Sequence, residues 1–211
     1  KLWTDAVGAV LDDTAVYPAL AGEILAIAYA SALMSGLAAL DPDAVHRARA
    51  PVALALAQAL ATSLLARYKA LEGGGADVAP PAQARRRLRN ACLAALCRVD
   101  VRHLELARAQ FVGAQNLTDR LAALGVLVAT GATDAQSSLD AFAARYADEA
   151  MVLDKWLSVQ ATRPAPETLA RVEALTTHPA FRWNTPNAVY ALLVAFAHRN
   201  PRAFHRADGA S

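Results

Sequence analysis

The 211-residue sequence predicts an all-α protein, an irregular α-solenoid of antiparallel helices, on three observations. Ala and Leu, both strong helix formers, dominate a composition that is 55% hydrophobic and 19% charged. Asp41-Pro42, Thr185-Pro186 and Asn200-Pro201 each set a capping residue before a proline, whose missing N–H costs nothing in the first turn of a helix. Sustained period-two runs of β-branched or aromatic residues, the mark of strands, are nearly absent. Such a composition supplies ample core and excludes global disorder. With only 6% aromatics, the core is expected to be built from small and medium side chains that let helices approach closely.

The pattern predicts helices over about 3–12, 18–30, 42–72, 81–98, 101–114, 117–130, 134–147, 150–161, 166–176 and 186–198. Pro51 is placed to kink the long third segment. Gly73-Gly74-Gly75 ends it and opens a loop to Pro80-Pro81, the one stretch that reads as a linker. Asp100 and Asn116 are candidate N-caps, and Thr133 to Gln136 has capping-box spacing. Past Pro81 the helices are short and their connections only a few residues long, so neighbours run antiparallel. That is the plan of a HEAT/armadillo-like superhelical array, without a strict sequence repeat. One helical domain over 1–211 is expected, with sub-parts 1–72 and 81–211 joined by the Gly/Pro loop at 73–81.

Several function classes find no support in these residues. A net charge of +2 is too near neutral to imply a nucleic acid. The most apolar stretch, Val52 to Ala66, is interrupted by Gln58, Thr62 and Ser63 and falls short of the ~20 residues that cross a bilayer. Lys1-Leu2-Trp3-Thr4 has neither Met nor a signal-peptide pattern, so a soluble cytoplasmic protein with no membrane partner is expected. Cys92 and Cys97 point about 140° apart on one helix and are expected to be free, buried thiols. His46, His103, His178, His198 and His205 form no H-E-x-x-H and have no ligand partner at i+3 or i+4. G-x-S-x-G, P-loop, C-x-x-C and G-x-G-x-x-G motifs are missing. No catalytic residue and no metal ligand is therefore assigned.

Three charged features remain. Arg85-Arg86-Arg87-Leu88-Arg89 packs four arginines into little more than one helical turn, without the interleaved aromatics of a nucleic-acid site. Within it, Arg89 falls on the apolar face made by Leu88, Cys92, Leu93 and Leu96. It is expected to be a buried structural charge, paired with Asp119 or Asp154. Asp154-Lys155-Trp156 reads as a tryptophan packed inward with charges at its rim, or as the lining of a groove.

Ordered phrases along the chain add a resemblance. They are Arg86 to Leu93 (RRLRNACL), Asn116 to Leu124 (NLTDRLAAL), Val152 to Trp156 (VLDKW), Gln160-Ala161-Thr162, His178-Pro179-Ala180-Phe181, Pro186-Asn187, Ala195-Phe196-Ala197, Asn200-Pro201 and Phe204-His205. In the first half, Gly8 to Leu11 and Pro18 to Leu25 fit as well, followed by Asp41-Pro42. Together they resemble the C-terminal helical domain of the bacterial M1 zinc metallo-aminopeptidases, over nearly the whole chain.

The resemblance implies a domain cut from a four-domain enzyme that removes N-terminal residues from peptides. It implies no cofactor in this piece and zinc in the parent enzyme, on an H-E-x-x-H motif with a downstream Glu. Neither that motif nor the G-x-M-E-N motif for the substrate amine occurs here. The domain's implied partners are the missing catalytic domain and, in the parent, peptide substrates; its implied role is to cover the active site as a cavity wall. Asn187 and Tyr190 are the candidate wall residues. Relatives carry Arg-x-Arg after Pro-Asn, where this chain has Ala188 and Tyr190, so the usual charge is lost. Both ends are expected to be artificial, and the piece is expected to be inactive alone and to associate through apolar surface. The alternative reading is a freestanding helical-repeat scaffold for protein partners; a nucleic-acid binder would rest on Arg85 to Arg89 alone.

Overall fold

The computed structural model describes residues 2–25, 41–73, 75–205 and 209. Among them every regular element is helical. In chain order these are α1 (Leu2–Asp12), α2 (Pro18–Leu25), α3 (Pro42–Ala59), α4 (Ala61–Ala70), α5 (Pro80–Val99), a 3₁₀ turn (Val101–His103), α6 (Leu104–Gly113) and α7 (Leu117–Ala129). There follow α8 (Ala135–Arg145), α9 (Ala150–Ala161), α10 (Thr168–Leu175) and α11 (Pro186–Val189). A π-helical turn (Tyr190–Val194) leads from α11 into α12 (Ala195–Arg199), and α13 (Pro201–Phe204) closes the series. The part of the second expected helix beyond Leu25 lies outside the described residues.

The caps follow side-chain chemistry, with exceptions. Asp41 Oδ1 accepts from the Ala44 amide at 2.9 Å, Asp100 Oδ1 from Arg102 at 2.8 Å, and Asn116 Oδ1 from Asp119 at 2.8 Å. Thr133 forms no capping box, because α8 begins one residue later, with Asp134 in the cap position and no side-chain cap. Asn200 is not a side-chain cap either. Its amide turns inward and donates to the carbonyls of Ala161 and Arg163, at the orphan end of α9. The long third segment does not break at Pro51. Helix α3 runs through it, and the chain turns 71° at Leu60, whose φ of −106° and ψ of 10° leave the helical region. Among the described residues no single helix is long and apolar enough to cross a membrane; α3 and α4 reach that length and composition only together, across this bend.

The chain divides into two compact units, Lys1–Ile27 with Ala48–Thr130, and Ala28–Arg47 with Gly131–Ser211. In the first, α5 packs against α2, α4 and α7. Leu88, Cys92, Leu93 and Leu96 of α5 are fully buried with Leu64, Leu124 and Leu127. The Gly/Pro loop lies inside this unit, joining α4 to α5, and Gly73 enters it at φ +101°, a backbone state open chiefly to glycine. In the second unit α9 is the central helix, packed against α8, α10, α11, the π turn and α12. Its core is Phe142, Trp156, Leu157, Leu192 and Phe196.

Candidate functional site

A groove of about 460 Å³ runs along α9 in the second unit. One wall is a single stripe of α9: Met151, Asp154, Lys155 and Ser158, spaced three and four apart. The other wall comes from residues 187–199, again at helical spacing: Asn187, Tyr190, Ala191, Val194, Ala195, His198 and Arg199. Between them sits the π turn. A π turn widens the backbone by one residue per turn and is often found at functional positions. Here Ser158 Oγ donates to the Ala191 carbonyl at 2.7 Å, tying that turn to α9 across the floor.

The groove's polar groups are not all answered. Asp154 Oδ1 is shielded from solvent and has no hydrogen-bond partner. Lys155, Arg199 and His198 line the same space, so its walls are rich in cationic and donor groups. Tyr190 is 64% exposed, its ring presented to the groove mouth rather than to the core. Trp156, next along α9, points the other way. It is buried, donates from Nε1 to the Leu139 carbonyl at 2.9 Å and stacks on His178 at 5.1 Å. The Asp154-Lys155-Trp156 triplet thus has its aromatic inward and its charges on a groove.

Asn187 and Tyr190 come together in this groove; Arg89 belongs to the first unit. Arg89 is 9% exposed, with Nη1 3.9 Å from Asp119 Oδ2 and Nη2 3.8 Å from Glu72 Oε1. Nη2 also donates to the Tyr68 hydroxyl at 3.2 Å, and the guanidinium lies 4.6 Å from the Tyr68 ring centre. Gln110 closes the network, donating to Asn90 at 2.7 Å and to the Asp119 carbonyl at 2.9 Å while accepting from Tyr68 at 3.1 Å. Burial raises the Tyr68 pKa despite the opposing effect of Arg89, so its phenol stays a donor. The other arginines of the cluster separate: Arg85 is exposed, Arg87 pairs with Glu23 at the surface, and Arg86 turns inward.

The groove residues that the sequence left unassigned are Ser158, His198 and Arg199. Their signal is the spacing 187, 190, 191, 194, 195, 198, which marks one helical face but does not distinguish a groove face from a core face.

The arrangement can bind and orient; it holds no nucleophile beside a base. Cys92 and Cys97 are free, and burial pushes their thiols up to about 12 and about 11, far from thiolate chemistry. Among the described residues no three of His, Cys, Asp and Glu gather where they could hold a metal ion. The residues present here do not fit a zinc site, and no chemical step through zinc is assigned to them.

An all-helical unit with a binding groove and no catalytic set is the class of protein this geometry defines. The chain belongs to the DUF3458_C family, described as a domain of unknown function with ARM repeats, whose model matches residues 1–211. It is 37% identical to aminopeptidase N of Caulobacter vibrioides across 99% of its own length, and 38% identical to aminopeptidase N of Escherichia coli across 97%. The chain spans only 24% of the length of each of these relatives, and what it matches is their C-terminal part. Among solved structures it is similar to aminopeptidase A of Legionella pneumophila in complex with aspartic acid. That likeness has a TM-score of 0.85 at 26% identity and covers 96% of this chain and 25% of that one.

Proposed function

We propose that this chain is the non-catalytic C-terminal helical domain of a zinc aminopeptidase of the M1 family, acting in the cytoplasm on the N-termini of peptides. In this reading its helices form an irregular solenoid that covers the active site, and the groove along α9 is part of the substrate cavity wall. The zinc and the chemistry belong to the catalytic domain of the parent enzyme. The observation that carries the reading is the 37–38% identity to aminopeptidase N sustained over nearly the whole chain. What this chain's own residues do is bind and exclude: Asn187 and Tyr190 offer an amide and a phenol to a passing peptide, and Lys155 and Arg199 bias the wall toward carboxylates.

The test is the natural full-length protein with Tyr190→Arg, restoring a cation at the wall. For peptides longer than a dipeptide, KM is expected to change by about twofold to fivefold, the size of a solvent-exposed charge effect. The kcat on a small chromogenic amino-acid amide is expected to stay unchanged, since that substrate does not reach the wall. Equal effects on both substrates, or on neither, would sink the cavity-wall role. No peptidase activity in the full-length protein would favour the freestanding scaffold.

A further inference from the structure

The first unit holds a second cleft, of about 720 Å³, at the beginning of α5. The residues that matter in its lining are Tyr17, Gln83, Arg86, Arg87, Asn90 and Thr118. Arg86 is 5% exposed. Its Nη2 donates to the Asp77 carbonyl, whereas Nη1 is shielded from solvent and has no partner. A buried guanidinium with an unmet donor is a costly arrangement unless something supplies the acceptor.

The other buried arginines of this unit show what an answered guanidinium looks like. Arg89 has the Asp119 carboxylate nearby, and Arg120 donates from Nη1 to Phe111 and from Nη2 to Ala114, both at carbonyls that end α6. Arg86 has no comparable acceptor for Nη1. The carboxylates around it are engaged elsewhere. Asp77 accepts from the Ala79 amide at 2.9 Å, Glu23 pairs with Arg87, and Asp119 accepts from Asn90 and Asn116 at 3.0 and 2.9 Å. No carboxylate lines the cleft. Pro80, in the same lining, opens the 20-residue helix α5, whose N-terminal end adds positive potential. Thr118 supplies a rim hydroxyl.

We propose that this cleft binds a small ligand bearing an oxyanion, a carboxylate or a phosphate group, received by Arg86 with Arg87 at the rim. A planar guanidinium with a free donor matches either group, and a cleft of this volume takes a ligand of several tens of heavy atoms at most. The inference stands on the first unit alone and does not rest on the aminopeptidase reading.

Isothermal titration calorimetry on the natural full-length chain tests it, with inorganic phosphate in one arm and N-acetyl-alanyl-alanine beside its C-terminal amide in the other. Binding of phosphate, of the free carboxylate, or of both is expected, with the amide at least about tenfold weaker than the acid. Binding in only one arm supports the site and names the source of its oxyanion. Thr118→Asp places a negative charge in the cleft while suiting the first turn of α7, so it is expected to weaken binding by about tenfold or more without lowering Tm. Arg86→Gln is expected to abolish binding; if that variant does not fold, Thr118→Asp carries the test. Absence of binding in both arms at millimolar ligand, or binding that Thr118→Asp leaves unchanged, overturns the proposal.

Discussion

In the first unit, Asp119 accepts hydrogen bonds from Asn90 and Asn116, faces Arg89 at 3.9 Å and is 5% exposed. In the second, Asp154 lies on the wall of an open groove, with one oxygen shielded and unpartnered. Both are helical aspartates near cationic side chains, yet their surroundings ask different things of them. Burial with full hydrogen bonding makes a polar group a fixed part of the fold, because removing one member strands the others. An unanswered oxygen on a groove wall holds nothing in place, and what it can do is meet a ligand. Structural charge and functional charge are therefore separable here by their partners rather than by residue type.

The largest effect should come from Asp119→Asn. It removes the carboxylate opposite Arg89 and turns an acceptor into a donor facing the amides of Asn90 and Asn116. Breaking a buried pair from one side costs about 3–5 kcal/mol. Urea unfolding followed by circular dichroism would show this as a lower midpoint at unchanged slope. A loss below about 1 kcal/mol would mean that Glu72, 3.8 Å from Arg89, takes over the pairing.

Periodicity made the buried position of Arg89 legible, because four apolar neighbours define one face of α5 and an arginine within it has to be satisfied. The same logic offered two partners for Arg89. Only the fold brings Asp119 to it, since Asp154 belongs to the other unit. Caps at Asp41, Asp100 and Asn116 were legible because a cap is a local bond between a side chain and an amide two or three residues on. Asn200 was misread for the complementary reason: its side chain chose carbonyls 37 and 39 residues away, which no local pattern displays. The π turn had no sequence signal. It widens a helix that Pro186 starts in the ordinary way, and the 3.6-residue pattern runs on through it. The groove's residue list was for that reason only half visible.

A smaller effect distinguishes an exposed carboxylate of the first unit from the buried one. The side-chain hydrogen bond from Arg102, then its backbone N–H, holds Asp100 at about 2. The folded-state pKa thus lies below the unfolded value of about 3.9. The stabilisation is fully present above pH ~4 and is lost as pH falls through about 2, because the unfolded chain takes up the proton first. Thermal melts at pH 5, 4, 3 and 2 are expected to fall less steeply for Asp100→Asn than for the unaltered chain. Parallel curves would show that the Asp100–Arg102 contact contributes nothing in solution.

The smallest effect sharpens the comparison most, because it repeats the first substitution in the other region. Asp154→Asn keeps the shape of the side chain and discharges an oxygen that has no hydrogen-bond donor to lose. Lys155, on the same groove, is exposed, and water compensates it for the missing neighbour. Stability is therefore expected to stay within about 0.5 kcal/mol of the parent, the range of surface substitutions that break no network. The contrast with Asp119→Asn, about 3–5 kcal/mol for the same chemical change, measures how far burial with partners differs from a place on an open wall. A cost above about 2 kcal/mol at Asp154 would erase that distinction. It would place Asp154 in the fabric of the second unit and leave Asn187 and Tyr190 as the groove's remaining contacts for a ligand.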